Sequence, residues 1–229
     1  MNPRHHLHES TLIGYAAGAL APAMAIVASA HLEQCAHCRR AAREAEGFGA
    51  ALLDQAHNDP LPQARRDALR AQMLARLGSQ DDPAETIATP HPRRETSPAP
   101  VAPDADRLPH ALQPYFGSSY RALRWRWMAP GVHCLRAADM PSLIMLRIAP
   151  GKSLPMHSHG RSELTHILQG AYNDSLGLFA PGDVADLDQD VEHQPVTAPG
   201  VPCICVSALD APLVFSGWLA RKIQRFVKL

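Results

Sequence analysis

The chain has 229 residues and a mass of 24.8 kDa, and its 46% hydrophobic content is ordinary for globular protein with room for one large or two small domains. Its 22 basic and 22 acidic residues give a formal charge of +0, so no overall field favours direct nucleic-acid binding, and a protein partner is expected instead. An odd number of cysteines, 5, points to a reducing compartment rather than a disulfide framework, and no apolar run is long enough to span a membrane. The alanine-rich run from Ala16 to Ala30 follows histidines rather than a Lys/Arg region and is interrupted by Pro22, so it does not read as a signal peptide. A cytoplasmic protein is expected.

In chain order, Glu9 or Ser10 starts a first helix that runs through Tyr15 to Ala19, and Pro22 suits the first turn of a second, where its missing N–H costs nothing. The second helix is expected to run to about Gln34, with Ala16, Ala17, Ala25 and Ala28 allowing close helix approach. A third helix, from about His37 to Ala56, places Ala41, Ala45, Phe48 and Leu52 on one face. Asn58-Asp59-Pro60 ends it, and Pro62 opens a fourth whose Leu69, Met73, Leu74 and Leu77 recur at helical spacing up to Gly78. Such a stripe is ordinarily core. In a small half with an alanine-rich interior it also offers a helix face to a partner.

The chemistry of this half is concentrated in His31-Leu-Glu-Gln-Cys35-Ala-His-Cys38. Residues i and i+4 stack on one helix face, which aims His31 and Cys35 together, and a Cys-x-x-Cys turn lets Cys38 close on the same point. Two thiolates and an imidazole suit Zn²⁺, with His5, His6 and His8 as candidates for the fourth ligand. The competing readings are a redox dithiol and simple packing; no strand precedes Cys35 to make a thioredoxin-like βαβ setting.

His6, His31, Cys35 and Cys38 reproduce the pattern His…His-x-x-x-Cys-x-x-Cys, and the chain here resembles the zinc-binding anti-sigma factors. More narrowly, Arg4-His5-His6, Tyr15-Ala-Ala-Gly-Ala-Leu20 and His31-Leu32 with Cys35, Cys38 and Arg39 make it similar to the ChrR-type members of that family. The resemblance covers most of the chain outside the linker. It implies that His6 is the fourth zinc ligand and that the helical domain wedges between the two globular regions of an extracytoplasmic-function sigma factor. It also implies a cytoplasmic regulator, not an enzyme, serving the singlet-oxygen response.

Residues 79–107 contain six prolines, no aromatic residue, one isoleucine and one valine, too little apolar surface to offset chain entropy. They read as a linker between two independent units, 1–78 and 108–229. The second unit reads as strands: Tyr120 to Trp127 alternates, while Ser142 to Ile148 and Cys203 to Ser207 are apolar runs bounded by Pro/Gly turns. The fold class expected is therefore α + β: an N-terminal helical bundle followed by a small antiparallel sandwich or barrel.

Within the second unit, Gly151-x₅-His157-x-His159-x₃-Glu163-x₆-Gly170 resembles the first cupin motif at every defining position, which implies a jelly-roll barrel. His157 and His159 are two apart and share a strand face, so with Glu163 they make a half-built site for Zn²⁺ or another divalent metal. The cupin likeness implies a fourth ligand after a Pro-Gly turn; Pro181-Gly182-Asp183 supplies the turn, and His193 is the one histidine downstream. Nine residues separate Asp183 from His193, a longer interval than in the common cupin pattern, and this departure weakens any carry-over of dioxygenase or isomerase activity. A barrel without metal is the plainer alternative. Cys203 and Cys205 face one side of their strand, as core residues or as a paired oxidation target.

Two functions follow. In one, the zinc domain sequesters a sigma factor and the cupin domain senses an oxidant such as singlet oxygen. In the other, the chain is a cupin metalloenzyme, a small-molecule dioxygenase, with a helical docking module.

Overall fold

The computed structural model describes residues 3–56, 61–78, 106–159, 162–188, 190–209 and 213–215. The expected linker, 79–107, lies outside the described residues except for its last two positions. The helices are α1 (Glu9–Ala16), α2 (Pro22–Gln34), α3 (Ala36–Ala56) and α4 (Gln63–Gly78). α1 stops short of the expected Ala19 because Gly18 takes φ 65° and turns the chain. Pro22 occupies the first turn of α2, as its fixed φ favours.

After a short helix α5 (Gln113–Phe116) the chain is built of strands: β1 (Arg126–Ala129), β2 (Val132–Ala137), β3 (Met140–Ile148), β4 (His157–His159), β5 (Glu163–Gln169) and β6 (Tyr172–Asp174). β7 (Gly177–Phe179), β8 (Val184–Leu187), β9 (Glu192–His193), β10 (Val196–Thr197), β11 (Cys203–Leu209) and β12 (Leu213–Phe215) follow. They form a six-stranded sheet in the order β1-β2-β3-β11-β5-β8 and two three-stranded sheets, β10-β6-β7 and β12-β4-β9. All named pairs are antiparallel, which confirms the α + β class with a cupin-type barrel.

The run from Tyr120 to Trp127 is not one strand. Asp106 and Ser119 draw its start into a 3₁₀ turn, Tyr120–Ala122: Tyr120 N–H donates to the Asp106 carbonyl at 2.8 Å, and Arg121 N–H donates to the Asp106 carboxylate at 3.1 Å. These local polar acceptors outcompete a sheet ladder that Tyr120 to Trp125 would otherwise have to join.

The chain divides into two compact units, Met1–Gly49 with Asp104–Leu229, and Ala50–Pro103. In the first, α2 packs on β3, β5 and β11. Its fully buried Val27, Ala28 and Ala30 share one core with Leu143, Met145, Leu164 and Val206 from the outer face of the six-stranded sheet. Of the four alanines that the sequence assigns to helix–helix approach, Ala28 lies in this core and brings α2 close to a sheet, while Ala16, Ala17 and Ala25 are not fully buried. The opposite face of that sheet turns inward, where Ile167, Cys203 and Cys205 pack with Tyr172, Phe179, Ala185 and Leu187. The two halves expected to be independent share this core; the sequence has no pattern that marks one helix face for a sheet rather than for another helix.

In the second unit the apolar stripe of α4 stays at the surface: Leu69, Met73 and Leu74 are 46%, 66% and 59% exposed. The stripe is therefore not core among the described residues.

Gly170 closes β5 at φ 67°, and a Cβ there would lie 2.5 Å from the Pro202 carbonyl oxygen and 2.8 Å from Cys203 Cα. Both the left-handed backbone and the backbone clash oppose a side chain. Gly170→Ala is expected to lower unfolding free energy by more than about 2 kcal/mol in urea denaturation, with the slope of the transition unchanged.

Candidate metal centres

α2 ends at Gln34, and Cys35 leaves the helix with an extended ψ of 105° before α3 begins at Ala36. That kink brings Cys35 and Cys38 back beneath His31. The segment before α1 delivers His6, and the ligand atoms of His6, His31, Cys35 and Cys38 all lie within 4.8 Å of one another. His31 Nε2 is 3.3 Å from Cys38 Sγ, and His6 Nδ1 is 3.3 Å from Cys35 Sγ and 3.6 Å from Cys38 Sγ. Bonds of about 2.0–2.3 Å to a tetrahedral zinc give edges of about 3.3–3.8 Å, so the donor set fits that ion. His31, Cys35 and Cys38 are buried, and of the three histidine candidates His6 is the one that the structure brings to the cluster.

Burial first and neighbouring His166 second hold the His31 pKa down to about 3, so its imidazole is neutral. Burial also pushes the Cys38 thiol up to about 11, so a metal entering here displaces a proton.

The barrel gathers a second group. His157 in β4 is the register partner of His193 in β9, and their Nε2 atoms stand 3.2 Å apart. His157 Nδ1 donates to the Pro155 carbonyl at 2.9 Å, and His193 Nδ1 donates to the buried Asp174 carboxylate at 2.8 Å. With both Nδ1 atoms so occupied, the two Nε2 atoms point at one another, a geometry that serves either a shared proton or a cation held by both rings. Glu163, at the start of β5, is buried on the same interior and accepts from Thr165 Oγ1 at 2.6 Å. The backbone of His159 is described in β4, but its side chain lies outside the described residues. His157, Glu163 and His193 line a largely apolar cavity of about 580 Å³, together with Tyr172, Cys205 and Ser207.

Cys203 and Cys205 are both free and buried. Burial pushes the Cys203 thiol up to about 12 and the Cys205 thiol well above its ordinary value, so both are core thiols rather than reactive thiolates.

Sequence reasoning missed Asp174, which fixes the tautomer of His193 from 19 residues away. No spacing rule joins a strand-end aspartate to a distant histidine. It also gives no role to His166, which is fully buried, donates from Nδ1 to the Asp183 carbonyl at 3.0 Å and meets the His31 ring edge-on at 5.4 Å. Its Nε2 is the one buried side-chain polar atom without a partner among the described residues.

A family profile described as the ChrR cupin-like domain matches residues 117–211. The anti-sigma-E factor ChrR of Cereibacter sphaeroides is 35% identical over 234 residues, an alignment that spans 100% of each chain. This chain belongs to the ChrR family of anti-sigma factors. A crystal structure of Rhodobacter sphaeroides SigE in complex with the anti-sigma ChrR superposes with a TM-score of 0.68 and 29% identity, over 92% of this chain and 100% of that one. No helix among the described residues is long and apolar enough to cross a membrane.

Burial holds the His166 pKa down to about 4, against an ordinary value of 6.5. The unfolded chain therefore takes up this proton first, and stability present above about pH 6.5 is lost as pH falls toward 4, by up to about 3 kcal/mol for this group. Denaturation measured between pH 7 and 4.5 is expected to show this loss, and His166→Gln to flatten it by about one proton.

Proposed function

We propose that the chain is a cytoplasmic anti-sigma factor, not an enzyme, that holds an extracytoplasmic-function sigma factor inactive through its N-terminal zinc domain. The cupin barrel carries a second metal on His157, His159, Glu163 and His193, and an oxidative signal such as singlet oxygen acting there releases the sigma factor. One observation carries the reading: four zinc-type ligands gather within 4.8 Å in a chain similar over its full length to an anti-sigma factor. Bound zinc would pin the segment containing His6 to α2 and α3, which fixes how this domain presents itself to a partner.

The docking surface is the exposed apolar face of α4, with Leu69, Met73 and Leu74, since a solvated stripe of this kind gains stability only when a partner covers it. At the barrel, the buried thiols of Cys203 and Cys205 lack the thiolate character that oxidants select. The imidazoles of His157 and His193, which line the cavity and carry no thiol's need to ionise first, are then the targets of oxidant chemistry. The cavity itself favours the alternative reading of a cupin metalloenzyme, and turnover of a small molecule by the purified metal-loaded protein would decide for it.

Cys35→Ala/Cys38→Ala is expected to lose one zinc per chain and to abolish sigma binding. Leu69→Glu/Met73→Glu keeps that zinc but weakens sigma binding at least tenfold, about 1.4 kcal/mol, by titration calorimetry. In cells exposed to singlet oxygen, His157→Ala and Glu163→Ala are expected to block sigma-dependent transcription while leaving inhibition intact. Normal induction in both, and in Cys203→Ser/Cys205→Ser, removes the sensing role from the barrel.

A further inference from the structure

The zinc ligands of the helical half are held from behind by the barrel. His31 Nδ1 lies 3.0 Å from the Gly182 carbonyl oxygen, which can only accept, so Nδ1 carries the proton and Nε2 is left as a bare donor toward the cluster. Arg4 N–H and His5 N–H donate to one oxygen of the Asp183 carboxylate at 2.6 and 3.1 Å, and Ala180 N–H donates to the other at 2.8 Å. Around this grip, the His5 ring stacks on Phe179 at 4.0 Å, Val184 N–H donates to the His5 carbonyl at 3.4 Å, and His8 N–H donates to Asp186 at 2.9 Å. Arg4 and His5 on one side of His6, and His8 on the other, are therefore bonded to the β7–β8 segment, while Leu7 between them is bonded through its backbone to Cys38.

Gly182 permits this approach. It sits at φ 97°, and a Cβ there would meet Pro3 at 3.3 Å. The same turn is bound to the barrel wall, since the Asp183 carbonyl accepts from Ile167 N–H at 2.9 Å and from His166 Nδ1 at 3.0 Å. His166 faces α2, while Glu163 and Thr165 of the same strand face the cavity.

We infer that the Pro181-Gly182-Asp183 turn of the barrel is an integral part of the zinc site, with Gly182 and Asp183 as positioning residues that orient His31 and His6, so that zinc affinity and the docking of the N-terminal segment on the barrel are linked. The inference rests on the reading of the four-residue cluster as a zinc site. Groups that fix the far nitrogen of a ligating histidine typically change metal affinity by about 10–100-fold. Linkage makes the effect reciprocal: whatever loosens this turn weakens zinc, and loss of zinc loosens the turn.

The test uses the full chain. Competition against a chromogenic chelator gives the zinc affinity, and cobalt substitution gives a thiolate-to-metal charge-transfer band and a ligand-field spectrum that report the cysteine-containing cluster. Gly182→Ala is expected to weaken zinc about 10–100-fold and to shift the cobalt ligand-field bands. In a second arm without substitution, stripping zinc from the wild-type chain is expected to raise amide exchange at Arg4, His5, His8 and Val184 at least tenfold, while β3 and β11 stay protected. This arm decides the matter if Gly182→Ala fails to fold. Unchanged exchange at these amides after zinc loss, together with unchanged affinity and cobalt spectra in a folded Gly182→Ala, overturns the linkage and leaves the zinc reading intact. Absence of the charge-transfer band in the wild type, or its persistence in Cys35→Ala/Cys38→Ala, overturns the zinc reading and the linkage with it.

Discussion

The central strands β5 and β11 of the six-stranded sheet are buried on both faces, and the arrangement of both candidate metal centres depends on that constraint. A strand buried twice presents successive residues to two different interiors. In β5, Glu163, Thr165 and Ile167 turn to the cavity, whereas Leu164, His166 and Leu168 turn to the core shared with α2. The same alternation in β11 sends Cys203 and Cys205 inward and Ile204, Val206 and Ala208 toward the helix. One strand thickness therefore separates the candidate ligands of the barrel from the surroundings of His31.

This geometry explains why so many polar groups here are buried without being orphaned. Burying an imidazole or a carboxylate costs several kcal/mol unless hydrogen bonds replace its water. The chain meets that requirement with backbone carbonyls at turns: Pro155 for His157, Gly182 for His31 and Asp183 for His166. Each of these carbonyls fixes a tautomer as well as a position. The Asp183 carboxylate is satisfied by three backbone N–H groups from two segments, a charge-assisted grip that solvent screens little because the side chain is buried. The exception is His166 Nε2, left without a partner beside His31.

Apolar surface is distributed unevenly along the helices. α2 buries Val27, Ala28 and Ala30 completely, and small side chains there gain more from close approach to the sheet than larger ones would from bulk. α4 leaves Leu69, Met73 and Leu74 in water. Apolar surface left in water contributes nothing to folding, so the apolar residues of α4 do not stabilise the fold as those of α2 do.

The sequence by itself determined the helices of the first half and most of the cupin strands, and it named the candidate metal-binding residues, because each is a local pattern: i and i+4 on a helix, Cys-x-x-Cys at a turn, His-x-His on a strand. Pro22 set the start of α2, since backbone geometry at proline is dictated by the residue itself. It left open which of His5, His6 and His8 joins the cluster, because an irregular segment has no period from which to read direction. It misread Tyr120 to Trp125 as strand, because the acceptors that win there, Asp106 and Ser119, act through side-chain bonds rather than through alternation. Only the tertiary structure decided that α2 lies on the sheet, that Asp174 orients His193, and that the turn carrying Gly182 and Asp183 closes on residues 4 to 8 rather than serving the cupin ligands alone. These contacts join residues 19 to 179 positions apart, and such pairings depend on how whole elements pack, a quantity that no local pattern encodes.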